Sequence, residues 1–151
     1  MGTWDVGPFD NDTAADWCGN LHDAAEHQRL PLVRATLSAV VGNTDTYLSR
    51  RLADRAIAAV AVVASQLPGG EPLVTPYAPD FLLKGGTLDI PGDIPPLALR
   101  ALARILGADS EWRDLWVDAG TRAEAMGALQ TIRATLELTH PDRLHRADGT
   151  L

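Results

Sequence analysis

The chain has 151 residues and a formal net charge of −7 at neutral pH. Its length predicts one domain, residues 1–151, with enough residues to bury a core. Its hydrophobic content of 46% argues against intrinsic disorder. The negative charge argues against a nucleic-acid-binding protein, which usually has a basic face, and against binding to anionic membrane surfaces.

The N-terminal residues 1–9 are rich in turn-forming Gly and Pro, and they include Trp4 and Phe9. Two aromatic side chains near a terminus are costly to expose, so we expect them to fold back onto the core. The chain does not begin with a basic region followed by an apolar one, so we expect no signal peptide and a cytoplasmic location.

The first predicted helix runs from about Asp12 to about Glu26, with Asn11 or Asp12 as its N-cap. A second helix is predicted to begin at Pro31, because proline is favoured at the first helical position, and to end at Gly42-Asn43. The inner face of the first helix is formed by residues at helical spacing: Ala14, Trp17, Cys18, Leu21 and Ala25.

The central predicted element is Ser49–Leu67, which opens with charged residues and then has no polar side chain from Ala56 to Ala64. A helix that is apolar all round must be covered on every side. This apolar run is far shorter than the roughly 20 residues needed to cross a bilayer. The sequence therefore predicts a buried central helix, with Ser49 as its N-cap and Pro68 just after its end.

Most of the prolines lie in residues 68–96, yet this segment is too apolar for a free linker. We expect an ordered strap across the helices, with a short helix near Pro79–Lys84 and a candidate extended segment at Thr87–Ile90. Three helices are predicted after the strap: Pro96–Leu106, a short helix capped by Asp109 or Ser110, and a last helix from a capping box at Thr121 to His140.

These elements predict an all-α fold: a single domain of about five major helices around the central helix 49–67. The alternative is an α+β fold in which residues 1–9 and Thr87–Ile90 form a small hairpin.

Acidic residues near the N-terminus, Asp10, Asp12 and Asp16, are the first candidate site. Together they could hold a divalent cation, but the further oxygen ligands, the glycine and the closing glutamate of an EF-hand loop are missing. Helix capping explains them more simply. The same acidic front end is a candidate binding surface for a basic protein partner.

Weak candidates for metal ligands are His22, Glu26 and His27, because His22 with Glu26 and Asp23 with His27 are each one helical turn apart. No third ligand is evident, and a solvated helix face with local ion pairs explains the same spacing. We therefore expect no metal ion and no other cofactor.

Four aromatic residues are candidates for binding a partner: Tyr77 and Phe81 in the strap, and Trp112 and Trp116 at positions i and i+4. Core packing is the simpler interpretation of the tryptophan pair. The one cysteine, Cys18, is on an inner helix face, where thiols are usually inert. The sequence has no nucleophile elbow, phosphate-binding loop or dinucleotide fingerprint, so we assign no catalytic residue.

Two runs of the sequence resemble a known family. The first combines spaced Trp, Gly, Phe and Asn-Asp residues in MGTWDVGPFDNDTAADW, residues 1–17, and the second is RAIAAVAVVASQLP, residues 55–68. Both are similar to the family named domain of unknown function 4259, small bacterial proteins common in actinobacteria. Asp5 departs from the family pattern, which has Gly there in many members. The resemblance implies no established activity and transfers no catalytic residue; it implies that residues 1–17 form a defined structural unit.

The acidic front end and the apolar strap favour a non-enzymatic protein-binding module with an immunity, regulatory or accessory role. The alternative is a small enzyme or a ligand- or metal-binding protein, with its site under residues 68–96 or on the helix face 22–27. A structural subunit of a homo-oligomer is a third hypothesis.

Overall fold

Seven helices account for most of the residues that the structure, a computed structural model, describes, which are 11–44, 46–68, 70, 78–119 and 122–138. In chain order they are α1 (Asp12–Asp23), α2 (Glu26–Val41), α3 (Arg50–Ser65), α4 (Asp80–Leu83), α5 (Ile94–Leu106), α6 (Glu111–Ala119) and α7 (Arg122–Leu138). These ranges contain no β-strand, and an isolated parallel bridge joins Leu48 to Ser110. The all-α prediction is confirmed. Residues 1–9, which the alternative fold places in a hairpin, lie outside the described residues.

Helix α3 is the centre of the packing, as predicted. Ser49 caps its first turn, where the backbone N–H of Leu52 donates to the Ser49 hydroxyl (3.3 Å). Every residue from Ala56 to Ala64 is buried, and α1, α2, α5, α6 and α7 pack around the helix. In the part of the chain that the structure describes, no helix combines the length and the apolar character needed to cross a membrane.

Helix α1 ends at Asp23, a few residues earlier than predicted. The chain turns at Ala24–Ala25, where both residues have an extended backbone with ψ of 148°. Arg29 stabilises the turn because its Nε and Nη2 donate to the carbonyl oxygens of Leu21 (3.1 Å) and His22 (2.8 Å). Carbonyls in the last turn of a helix lack intrahelical donors, so this side chain satisfies two of them.

Helix α2 begins at Glu26 and not at Pro31, so that part of the prediction is wrong. Pro31 is the sixth residue of α2, where its missing N–H removes the bond to the carbonyl of His27. Because α1 has already ended, Ala25 is exposed and does not belong to the inner face of α1. The other predicted members of that face are buried: Ala14, Trp17, Cys18 and Leu21.

Residues 78–93 of the strap are tied to the helices around them. Helix α4 is a single turn, as predicted, and Thr87–Ile90 forms no strand. The backbone N–H of Leu88 donates to the side-chain oxygen of Gln66, just after α3 (3.0 Å). Gly85 has a φ of 90°, which favours glycine, and it lets the chain reverse after α4.

One guanidinium group joins the loop before α3 to the loop after α5. Arg104 donates to four backbone oxygens, those of Asn43 (2.7 Å), Thr46 (3.0 Å), Ala108 (3.0 Å) and Asp109 (3.2 Å). Beside it, the N–H of Leu48 donates to the carbonyl of Asp109 (2.8 Å), and the N–H of Glu111 donates to the carbonyl of Leu48 (3.0 Å). These bonds hold the two loops as one unit at the start of α6.

Candidate functional site

The exposed side of α1 carries a row of three carboxylates, Asp12, Asp16 and Asp23, which form an acidic stripe. At about 100° per residue, the three positions lie within about 40° of one another around the helix axis. At about 1.5 Å per residue, they span about 16 Å along it. The buried residues Trp17 and Leu21 lie on the opposite side of the helix, so the stripe faces away from the core.

No basic side chain among the described residues pairs with the acidic stripe. Some other surface carboxylates are paired, including Asp93 with Arg34 (2.9 Å) and Asp80 with Lys84 (2.9 Å). Carboxylates without partners on one face add to a local negative potential, which salt screens over about 10 Å at 0.1 M. Asp10, the other predicted member of the acidic front end, lies outside the described residues.

Asn11, and not Asp12, is the N-cap of α1. Its Oδ1 accepts the backbone N–H of Ala14 (2.8 Å), and Asp12 is the first helical residue. A negative charge there still interacts favourably with the helix dipole. The described residues contain no group of three His, Cys, Asp or Glu side chains that could hold a metal ion.

The break between α1 and α2 separates the residues predicted as weak metal ligands. His22 lies in the last turn of α1, whereas Glu26 and His27 open α2, so the continuous helix that would place them one turn apart does not exist. The Nδ1 atom of His22 accepts the backbone N–H of Phe81 (3.1 Å). That ring nitrogen therefore helps to hold α4 against α1.

Phe81, predicted to bind a partner, is occupied by contacts within the chain. The guanidinium carbon of Arg29 lies 3.7 Å from the centroid of its ring, a cation–π contact. The ring of His22 stacks on it with centroids 6.2 Å apart. Tyr77, the other predicted aromatic residue of the strap, lies outside the described residues.

Trp112, predicted with Trp116 as a candidate partner patch on α6, is buried. This side chain is 6% exposed and belongs to the hydrophobic core, because it lies on the side of α6 that packs against the other helices. The side chain of Trp116 lies outside the described part of the structure. Core packing is therefore the correct interpretation of Trp112.

A pocket of about 250 Å³ lies between α1 and the start of α4, under the strap. Its walls are formed by Ala15, Cys18, Gly19, His22, Ala78, Pro79 and Asp80. Gly19 leaves room at the wall, since no atom lies within 4 Å of the position that its Cβ would occupy. Burial raises the pKa of the Cys18 thiol to about 12, so the wall carries a neutral thiol and not a thiolate nucleophile.

Asp54 of α3 is buried although it lies in the charged first half of that helix; it is 4% exposed. Arg50 Nε lies 3.2 Å from its Oδ2, and the backbone N–H of Arg50 donates to Glu111 Oε1 (2.8 Å). Burial raises the pKa of Asp54 to about 6, against the opposing effect of Arg50, and the charge of Glu111 adds to the rise. Sequence reasoning missed this group because Asp54 follows charged residues on its helix, and the charge of Glu111 that acts on it comes from the distant helix α6.

Two large apolar side chains are exposed at the start of α6: Tyr47 is 51% exposed and Leu115 is 39% exposed. The hydroxyl of Tyr47 donates to Asp114 Oδ2 (2.7 Å). This bond, with the charges of Glu111 and Asp109 nearby, raises the pKa of Tyr47 to about 12. No sequence signal points to a function here, because neither apolar residue belongs to a motif.

A family model described as domain of unknown function (DUF4259) matches residues 2–128. The chain belongs to the DUF4259 family. The DUF4259 match confirms the resemblance and covers the acidic stripe, the pocket, Tyr47 and Leu115. No curated protein and no solved structure matches the chain.

Proposed function

We propose that this DUF4259 protein is a non-enzymatic protein-binding module of the bacterial cytosol, and that its acidic stripe binds a basic partner protein. The observation that carries the proposal is the row of exposed carboxylates on α1, Asp12, Asp16 and Asp23, without a basic partner among the described residues. Covering a basic toxin, regulating a basic protein and acting as an accessory subunit are all roles that such a surface serves.

The dimensions of the stripe define what it contributes to binding. It is about 16 Å long on a helix about 10 Å wide, whereas a stable interface usually buries about 800 Å² on each partner. The stripe therefore orients the partner and raises the association rate, and neighbouring surface supplies most of the buried area. Binding of this kind weakens as salt rises.

A pulldown with two matched variants tests the proposal. In the stripe variant, Asp16→Asn and Asp23→Asn remove two negative charges and leave Asp12 in the first turn of α1. The control variant, Asp89→Asn with Glu137→Gln, removes the same charge from exposed positions elsewhere. Each protein is used to capture partners from a native lysate at low and at moderate salt.

We expect the parent and the control to retain a specific basic protein, more at low salt, and the stripe variant to retain at least about tenfold less of it. A clean capture with no specific partner at either salt would contradict the proposal. Equal retention by the stripe and control variants would also contradict it, because the partner would then bind elsewhere.

The pocket under the strap supports a second candidate function, the binding of a small ligand. Its volume of about 250 Å³ suits a small molecule, and its walls are mostly apolar, with His22 and Asp80 as polar groups. A ligand with a small apolar body and one polar group fits this lining.

Filling the pocket tests the second candidate. Gly19→Leu places a side chain where Gly19 leaves space, and Gly92→Leu is the control, because Gly92 also has no atom within 4 Å of its Cβ position but does not line the pocket. A fragment library is screened by thermal shift. We expect some fragments to raise the melting temperature of the parent and the control but not that of Gly19→Leu. If no fragment stabilises the parent, or if Gly19→Leu responds equally, the pocket does not bind ligand.

A further inference from the structure

Near the start of α6, two exposed apolar side chains lie among acidic residues. Tyr47 and Leu115 are exposed, and Asp114 accepts the hydroxyl of Tyr47 (2.7 Å). The charges of Glu111 and Asp109 add to the rise in the pKa of Tyr47. Positions 111, 114 and 115 share one face of α6, since residues three and four apart are neighbours on a helix. These five residues form the Tyr47 platform.

Hydrogen bonds within the chain hold Tyr47 and the backbone next to it in place. The hydroxyl of Tyr47 is fixed by Asp114 Oδ2 at 2.7 Å. Arg104 also fixes the backbone of the two loops that carry Tyr47 and Asp109. It donates to the carbonyl of Thr46 at 3.0 Å and to that of Asp109 at 3.2 Å. A tyrosine that is already ordered loses little conformational entropy on binding, and tyrosine is enriched at the energetic centres of protein interfaces.

The charges on the platform define the chemistry of its partner. Asp114 uses Oδ2 for Tyr47, which leaves Oδ1 for a donor from another molecule. The exposed face of the Tyr47 ring can accept a cation, and Leu115 offers an apolar contact next to Asp114. An arginine or lysine beside an apolar side chain matches all three groups.

A second copy of this chain is a poor match for the groups of the Tyr47 platform. Two platforms facing each other would bring together six carboxylates, three from each copy, and each chain has a net charge of −7. Like charges at close range oppose such an interface. The charge of the platform therefore favours a different, basic partner.

We propose that the Tyr47 platform is a second docking surface, which binds a protein segment presenting an arginine or lysine next to an apolar side chain. The platform is a different surface from the acidic stripe, because the two lie on different helices. The platform is at α6, which packs against α3, α5 and α7, whereas the stripe is on α1, which packs against α2, α3 and α4.

Peptide selection tests the platform with a defined probe. A random-peptide display library is selected on the immobilised parent and counter-selected on the double variant Tyr47→Ala with Leu115→Ser. Enriched peptides are synthesised, and their affinities for single variants are measured by fluorescence polarisation. Leu138→Ser is the matched control, because Leu138 is an exposed leucine (52%) at the end of α7.

We expect enriched peptides with a basic residue next to an apolar one, and at least about a tenfold loss of affinity for Leu115→Ser and for Asp114→Asn. Leu138→Ser should bind like the parent. The proposal is overturned if no peptide is enriched, if the enriched peptides lack basic residues, or if Leu115→Ser binds as tightly as Leu138→Ser.

Sedimentation velocity adds an independent outcome. A dimer of the parent that Leu115→Ser abolishes would make the second copy the occupant and overturn the proposal of a basic partner. The assay does not involve Asp16 or Asp23, so failure of the acidic stripe and failure of the platform are distinguished.

Discussion

Asp54 makes the stability of this protein depend on pH in a direction opposite to that of an ordinary salt-bridged aspartate. Burial raises its pKa from 3.8 to about 6. The folded state therefore binds the proton more tightly than the unfolded state does. Asp54 contributes its stabilisation fully below about pH 3.8 and loses it as the pH rises through about 6.

The magnitude follows from the size of the shift. Each pKa unit corresponds to about 1.4 kcal/mol, so the full effect of Asp54 is about 3 kcal/mol. Between about pH 4 and about pH 7, about 2 kcal/mol of it is lost. Other carboxyl groups also titrate in this window, so the contribution of Asp54 is obtained as a difference from a variant that lacks the charge.

The substitution is Asp54→Asn, which keeps an acceptor oxygen for Arg50 and removes the titration. Urea unfolding, followed by circular dichroism, gives the free energy of unfolding of the parent and the variant across the pH range. From about pH 4 to about pH 7, the free energy of unfolding of the variant minus that of the parent should rise by about 2 kcal/mol, because only the parent loses the contribution of Asp54. Ile57→Val is the control, since Ile57 is also buried in α3 and should cost about 1 kcal/mol at every pH. A parent–variant difference for Asp54→Asn that stays constant with pH, or that changes in the opposite direction, would refute the reasoning.

Four further predictions concern the fold. Asn11→Ala removes the cap of α1 and should cost about 1 kcal/mol in urea unfolding, whereas Asp12→Ala should cost less than half of that. Ala61→Asp places a charge inside the central helix and should abolish the cooperative thermal transition, so a melt within a few degrees of the parent would contradict the central role of α3. Arg104→Met removes donors to four backbone oxygens and should cost at least about 2 kcal/mol, measured by urea unfolding. The Cys18 thiol, whose pKa burial raises to about 12, should react with Ellman's reagent at least about 100-fold more slowly in the native protein than in urea.

The parts of the fold that the sequence predicted are those that depend on local patterns. The continuous apolar run of α3 requires cover on every side, and the inner face of α1 is set by helical spacing. Ser49 caps α3 as predicted, and Ser110 accepts the backbone N–H of Arg113 at the start of α6 (3.4 Å). Each of these signals is contained within a few neighbouring residues.

The parts that the sequence did not predict depend on contacts between distant residues. The break at Ala24–Ala25 has no Gly or Pro to mark it, and Arg29 from the next helix satisfies the exposed carbonyls. Glu111 of α6 acts on the buried Asp54 of α3, and Arg104 of α5 bonds to the carbonyl of Thr46, next to Tyr47. The acidic front end was predicted from composition, but its arrangement as a stripe follows from the helical register of α1.

The buried polar side chains of the described residues all have partners within the chain. The buried polar side chains of the described residues are those of Asn11, Asp54 and Ser110. Each one bonds within the chain, to the N–H of Ala14, to Arg50 and to the N–H of Arg113 respectively. A buried polar group left without a partner would cost free energy, so these bonds are needed for folding itself. The acidic stripe and the Tyr47 platform are two sets of groups that remain at the surface, where another molecule can reach them. Neutralising the stripe should therefore change binding while leaving the core intact, which is the separation of effects that the paired variants measure.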